Sequence, residues 1–218
     1  MFLYRIGCFL AFVPCNFFQG ALDFWGANSF TQSPRYLPKY SNILKPDIRR
    51  QNDRFPTQKI HPCLWFDKEG LEAARLYTSI FSNNPHSKTK GDSYIVNEAA
   101  ITNESAVLVS FKLNGQEYSA LNGGPHYKHT PAISMFVTCE DQAEVDYFWD
   151  ALLKDGGKPV QCGWLTDKFG VSWQIVPRAL MVLSADEDRE KANRVQQAMM
   201  KCVKMDVKKL EDAYNGVQ

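Results

Sequence analysis

The sequence predicts an α+β chain of two tandem βαβββ modules followed by a C-terminal helical tail. Three observations carry this: a strand-then-helix pattern that recurs about 72 residues further on, hairpin signals after each copy where another helix would otherwise follow, and an apolar stripe near the C-terminus. In the first copy His61-Pro62-Cys63-Leu64-Trp65-Phe66 reads as a strand, and Ala73, Leu76, Tyr77, Ile80 and Phe81 fall on one helical face. In the second, residues 133–137 are strand-like, Val145, Phe148, Trp149, Leu152 and Leu153 repeat the helical spacing, and Glu144 repeats Glu72. Ser82-Asn83-Asn84-Pro85 and Asp155-Gly156-Gly157 stop the two helices.

Residues 106–113 are rich in β-branched and aromatic types, Asn114-Gly115 is a two-residue hairpin signal, and 117–121 returns. The second copy runs from 160 to 166 as a strand, turns through Asp167-Lys168-Phe169-Gly170 and continues over 171–176. Two copies at a fixed offset imply pseudo-twofold packing, each sheet laying one face on its helix and turning the other towards a shared concave space. In the tail, Ser184-Ala185-Asp186-Glu187 has capping-box form ahead of a stripe of Ala192, Val195, Ala198, Met199 and Cys202. Asp206 is placed to cap a last helix through Leu210 and Tyr214.

These signals divide the 218 residues into a leader or linker extension at 1–58, expected to be poorly ordered, a first module at 59–125, a second at 131–177 and the tail at 178–218. The first segment carries seven basic and three acidic residues, a charge of +4, and has four prolines between Ser29 and Pro56. The remaining 18 basic and 21 acidic residues give −3, so the chain as a whole has no field that calls for nucleic acid or anionic lipid. The apolar run from Ile6 to Phe18 is too short for the ~20 residues a membrane-spanning helix needs; it reads as a secretory or organelle leader, or as an extension without a role. Six cysteines without C-x-x-C spacing fit reduced thiols and a cytoplasmic setting, the alternative being export or organelle targeting by the leader.

Ala120-Leu121-Asn122-Gly123-Gly124-Pro125 and the long stretch from Cys162-Gly163-Trp164 to Trp173-Gln174-Ile175-Val176-Pro177 resemble the PhnB-like branch of the vicinal oxygen chelate superfamily, the glyoxalase and bleomycin-resistance fold. The resemblance covers residues 59–215. Members of this branch often bear a 3-demethylubiquinone 3-methyltransferase label. Methyl transfer from S-adenosylmethionine would call for a glycine-rich turn between a parallel strand and a helix, whereas Gly123-Gly124 and Gly156-Gly157 are isolated pairs. In metal-dependent relatives a divalent ion sits between the modules, held by His, Glu or Gln from the first and last strand of each, and acts as a Lewis acid on substrate oxygens.

Here His61 is well placed and Gln174 stands where such relatives carry Glu, but the positions opposite offer Ala132 or Ile133 and the run Ser119-Ala120-Leu121, with Glu117 the one nearby carboxylate. One imidazole and one neutral amide are too few donors for such an ion. The expectation is therefore a homodimeric binding protein without a catalytic metal or other cofactor, taking a small organic molecule in a cavity lined by His61, Cys63, Trp65, Tyr118, Asn122, Trp164 and Gln174. The competing expectation is a lyase, isomerase or dioxygenase with a divalent ion on His61, Glu117 and Gln174. His61 is open to a second reading as a histidine satisfied within its strand. Trp173 and Ile175 alternate with Gln174 and belong to the core; His126 and His129 are expected at the surface; no fixed sequence relation pairs Cys162 with a base, and the sequence points to no catalytic residue.

Overall fold

The last strand of each module returns to lie beside the first. The computed structural model describes residues 56–87, 91–100 and 106–217; the expected leader lies outside these as far as residue 55. Module one comprises β1 (Cys63–Phe66), α1 (Gly70–Ser82), β2 (Tyr94–Ala100), β3 (Ala106–Leu113) and β4 (Gln116–Asn122). Module two comprises β5 (Ser134–Cys139), α2 (Gln142–Leu153), β6 (Lys158–Pro159), β7 (Trp164–Thr166) and β8 (Ser172–Pro177), and the tail is α3 (Arg178–Ser184), α4 (Arg189–Lys201) and α5 (Val207–Asn215). The sheets have orders β1-β4-β3-β2 and β5-β8-β7-β6, with β1 parallel to β4 and β5 parallel to β8. This is the predicted tandem βαβββ architecture.

The helices dock on their sheets through the faces the periodicity marks. Ala73, Tyr77 and Ile80 of α1 and Val145, Phe148 and Leu152 of α2 are buried, as are Trp173 and Ile175 of β8. Each helix also reaches the other module. Tyr77 stacks edge-on against Trp173 with ring centroids 5.0 Å apart, and Phe81 meets Phe148 at 4.9 Å. At the centre of this seam Asp167, 3% exposed, accepts the Tyr77 hydroxyl at 2.6 Å, the Trp173 indole N–H at 2.9 Å and the main-chain N–H groups of Phe169 and Val171. The two repeated glutamates cross the seam in opposite directions: Glu144 accepts from Asn84 at 2.7 Å, and Glu72 pairs with Lys168 at 2.6 Å.

Some elements differ from expectation. The strand expected over 160–166 is broken: Cys162 and Gly163 take left-handed φ of 60° and 77°, and their N–H groups turn to the carbonyls of Cys202 and Val203 in the tail. The strand expected from Ile133 starts at Ser134, with Ile133 75% exposed. Ser184 does not open a capping box but closes α3, a seven-residue helix that follows β8 directly; α4 is capped by Asp188, which accepts from Glu190 N and Lys191 N. Asp206 caps α5 as its position implies, accepting from Lys209 N.

Candidate functional site

Side chains alternate across a strand, and residues paired in register share a face. Cys63 pairs with Ser119 and Trp65 with Leu121, so these four point away from α1. Tyr118 and Asn122 point the other way. Tyr118 stacks on the core residue Phe111 at 5.5 Å, and Asn122 Oδ1 accepts the Gly70 N–H at 2.8 Å, supplying the start of α1 with the partner that Glu69 does not provide. A β-carbon on Gly70 would sit 2.6 Å from that oxygen. These two residues therefore do not share a hollow with the β1 side chains.

On module two the pairings Phe136–Gln174 and Trp164–Gln174 set three side chains in a row on the face away from α2. Helices α3 and α4 flank this row and leave an open hollow of about 370 Å³, with Leu180 and Met181 from α3, Met199 from α4 and Cys162 at its edge. The Gln174 side-chain nitrogen donates to Ser134 Oγ at 2.8 Å. Ser184 Oγ, on the same hollow, is buried without a hydrogen-bond partner.

The seven expected ligand contacts are thus dispersed. Trp164 and Gln174 come together under α3 and α4. Cys63 and Trp65 border a second hollow, about 350 Å³, between β1 and β5, and Tyr118 borders a third on the helix side. Burial pushes the Cys63 and Tyr118 groups up from their ordinary pKa values. Trp65 is committed to the inter-module loop: its indole N–H donates to Gly124 O at 2.8 Å and its ring occupies the space a Gly123 β-carbon would need. His126 is exposed as expected, and His129 is half-buried. Its ring lies against Phe66, burial holds its pKa down, and Nε2 has no partner. The contribution of α3 has no signal in the sequence, because Leu180, Met181 and Ser184 follow β8 without a turn or cap to mark a new helix.

His61 and Glu117 sit on module one, each already engaged. His61 Nδ1 lies 3.3 Å from the Gln58 carbonyl, which only accepts, so in the neutral ring Nε2 accepts from the Ser119 hydroxyl at 3.0 Å. Glu117, 2% exposed, accepts Thr57 Oγ1 at 2.9 Å and Gln58 N at 2.6 Å, and Lys112 Nζ lies at 3.4 Å. The first register pairs, Cys63–Ser119 and Ser134–Ser172, equate Trp65–Leu121 with Phe136–Gln174 and place Ala132 opposite His61. The counterpart of Gln174 is thus Leu121, not Glu117. Among the described residues no three His, Cys, Asp or Glu side chains converge.

Burial opposes ionisation of Glu117, but bonds from Gln58, Thr57 and Lys112 outweigh it and hold its pKa at about 2, below the ordinary 4.5. A depressed carboxylate contributes stability above its unfolded pKa and loses it as pH falls towards the folded value. Thermal melts from pH 7 to pH 2 are expected to lose stability between about 4.5 and 2, and Glu117→Gln is expected to flatten that limb while lowering Tm at pH 7. An unchanged acid limb would count against the clamp.

Two modules of βαβββ form, with sheet faces turned away from their helices, define a member of the glyoxalase and bleomycin-resistance class of folds. A family profile described as 3-demethylubiquinone-9 3-methyltransferase matches residues 58–176, and the chain belongs to that PhnB-like family. Among solved structures, the PhnB protein from Bacillus cereus is 31% identical, with 55% of this chain and 99% of that one covered and a TM-score of 0.46. A glyoxalase/bleomycin resistance protein from Albidiferax ferrireducens T118 is 12% identical over 54% and 96% (TM-score 0.37), and a lactoylglutathione lyase from Agrobacterium tumefaciens is 17% identical over 57% and 96% (TM-score 0.29). No curated protein matches the chain.

Proposed function

We propose that this protein binds a small organic molecule in the hollow between the open face of β5-β8-β7 and helices α3 and α4, without a catalytic metal. The observation that carries the reading is the setting of Gln174: a polar amide beside Trp164 and Phe136, flanked by apolar side chains of α3 and α4, in an open hollow of about 370 Å³. Such a composition, mostly apolar with a few placed polar groups, and a volume within roughly 300–1,000 Å³ are what small-molecule sites share. The engagement of His61 by Ser119 and of Glu117 by Thr57 and Gln58 supports a site that works without an ion. The reading does not include methyl transfer, because Gly123-Gly124 precedes a loop and Gly156-Gly157 follows a helix, so neither makes the strand-turn-helix cradle that cofactor needs.

The same reading includes a homodimer. Ile133, just before β5, and Phe136 within it, 75% and 53% exposed, adjoin the open faces, and four strands per sheet leave edges that a second copy would cover. The thiols of Cys63, Cys139, Cys162 and Cys202 are all free, which supports a reducing, cytoplasmic setting. No helix among the described residues is long and apolar enough to cross a membrane.

The test is a thermal-shift panel of small aromatic acids, amines and alcohols. At least one member is expected to raise Tm, since a ligand that binds only the folded state stabilises it, and Trp164→Ala should abolish the shift. Sedimentation of the same samples at micromolar concentration reads the dimer. A panel with no response, or one indifferent to Trp164→Ala, overturns the binding reading; a monomer overturns the dimer.

A further inference from the structure

We infer that this hollow selects uncharged, planar aromatic molecules carrying a hydroxyl group, and excludes their carboxylate analogues. The inference rests on the proposed binding site and names the class of ligand it takes. No lining residue of the hollow carries a charge. Its two aromatic walls, Phe136 and Trp164, stand opposite the thioethers of Met181 and Met199, a combination whose polarisable surfaces favour an aromatic ring.

Two polar atoms then set what the ring must carry. Ser184 Oγ is buried with nothing to bond, a costly state that a ligand's polar group would relieve. The Gln174 amide has its nitrogen committed to Ser134, so its carbonyl oxygen is the end left to accept, and an acceptor calls for a ligand that donates. A hydroxyl meets both demands: it donates its proton to Gln174 and accepts from Ser184. A carboxylate meets neither well. It has no proton for the Gln174 carbonyl, and entering a hollow without a cation strips it of water with only uncharged donors, the Ser184 hydroxyl and the Gln196 amide, in exchange.

The probes are 2-naphthol and 2-naphthoate, which share a ring system and differ in the group that matters. Titrated by calorimetry into the full chain, 2-naphthol is expected to bind at least about tenfold more tightly than 2-naphthoate. Ser184→Ala should weaken 2-naphthol several-fold, and Gln196→Lys, which brings a cation to the lining, should narrow or invert the preference. Equal or tighter binding of 2-naphthoate to the unmodified protein, lost on Trp164→Ala, overturns the ligand class while leaving the site in place. Binding of 2-naphthol that ignores Ser184→Ala overturns the assigned anchor. Absence of binding by both, together with a silent aromatic panel, removes the site and the inference together.

Discussion

Asp167→Ala is expected to destabilise the protein by about 3–5 kcal/mol, the scale found when one partner of a buried charged network is removed. Its carboxylate is the common acceptor for Tyr77 on α1, Trp173 on β8 and two main-chain N–H groups of its own turn, so truncation strands four donors inside the seam between modules. Tyr77→Phe, which removes one donor and keeps the ring contacts with Trp173 and Phe111, should cost about 1–2 kcal/mol. In a double-mutant cycle the two changes should fall well short of additive, because they break the same bond. Urea denaturation measures all three; strict additivity would mean that Asp167 and Tyr77 act independently and that the seam is held by ring packing alone.

The second expectation concerns the two glutamates that the repeat places alike. Glu144→Ala should cost about 2–3 kcal/mol, whereas Glu72→Ala should cost less than about 1 kcal/mol, although both side chains cross the same seam. Glu144 is buried, holds the buried Asn84 amide and accepts the Glu140 N–H, so its loss leaves polar groups unmet. Glu72 meets Lys168 in a setting where its side chain is 60% exposed and water can replace the partner. Raising the salt concentration should erase what effect Glu72→Ala has and leave that of Glu144→Ala largely intact. Equal losses at both positions would contradict the burial argument.

Periodicity made the fold legible. The apolar spacing at Ala73, Tyr77 and Ile80 recurs at Val145, Phe148 and Leu152, and such spacing depends on the chain alone, as does the Asn114-Gly115 turn. The site was only half legible, for two physical reasons. Register is decided between strands: nothing within 116–122 says that Ser119, and not Tyr118, faces with Cys63, and a slip of one residue exchanges the whole set of side chains between faces. The apolar flank of Gln174 comes from the tail, whose docking is fixed by long-range bonds such as Cys162 N–H to Cys202 O, which no local pattern announces. Gln174 is legible because it stands where metal-dependent relatives carry Glu, and Trp164 because it lies in the same family-like stretch; the structure pairs the two on adjacent strands. Ser184 and Met181 are not legible, because their place depends on where the chain goes after Pro177.

Joining the opening strand of each module to its closing one has a bearing on synthesis. While the chain leaves the ribosome, β1 has no neighbour until β4 has emerged, and β5 must wait for β8 in the same way. Each half can mature only as a whole, and folding governed by such distant pairings is slow compared with that of a helical bundle of equal size. During that interval the sheet-facing sides of α1 and α2 are bare, which makes nascent halves the stage most exposed to aggregation and to capture by chaperones.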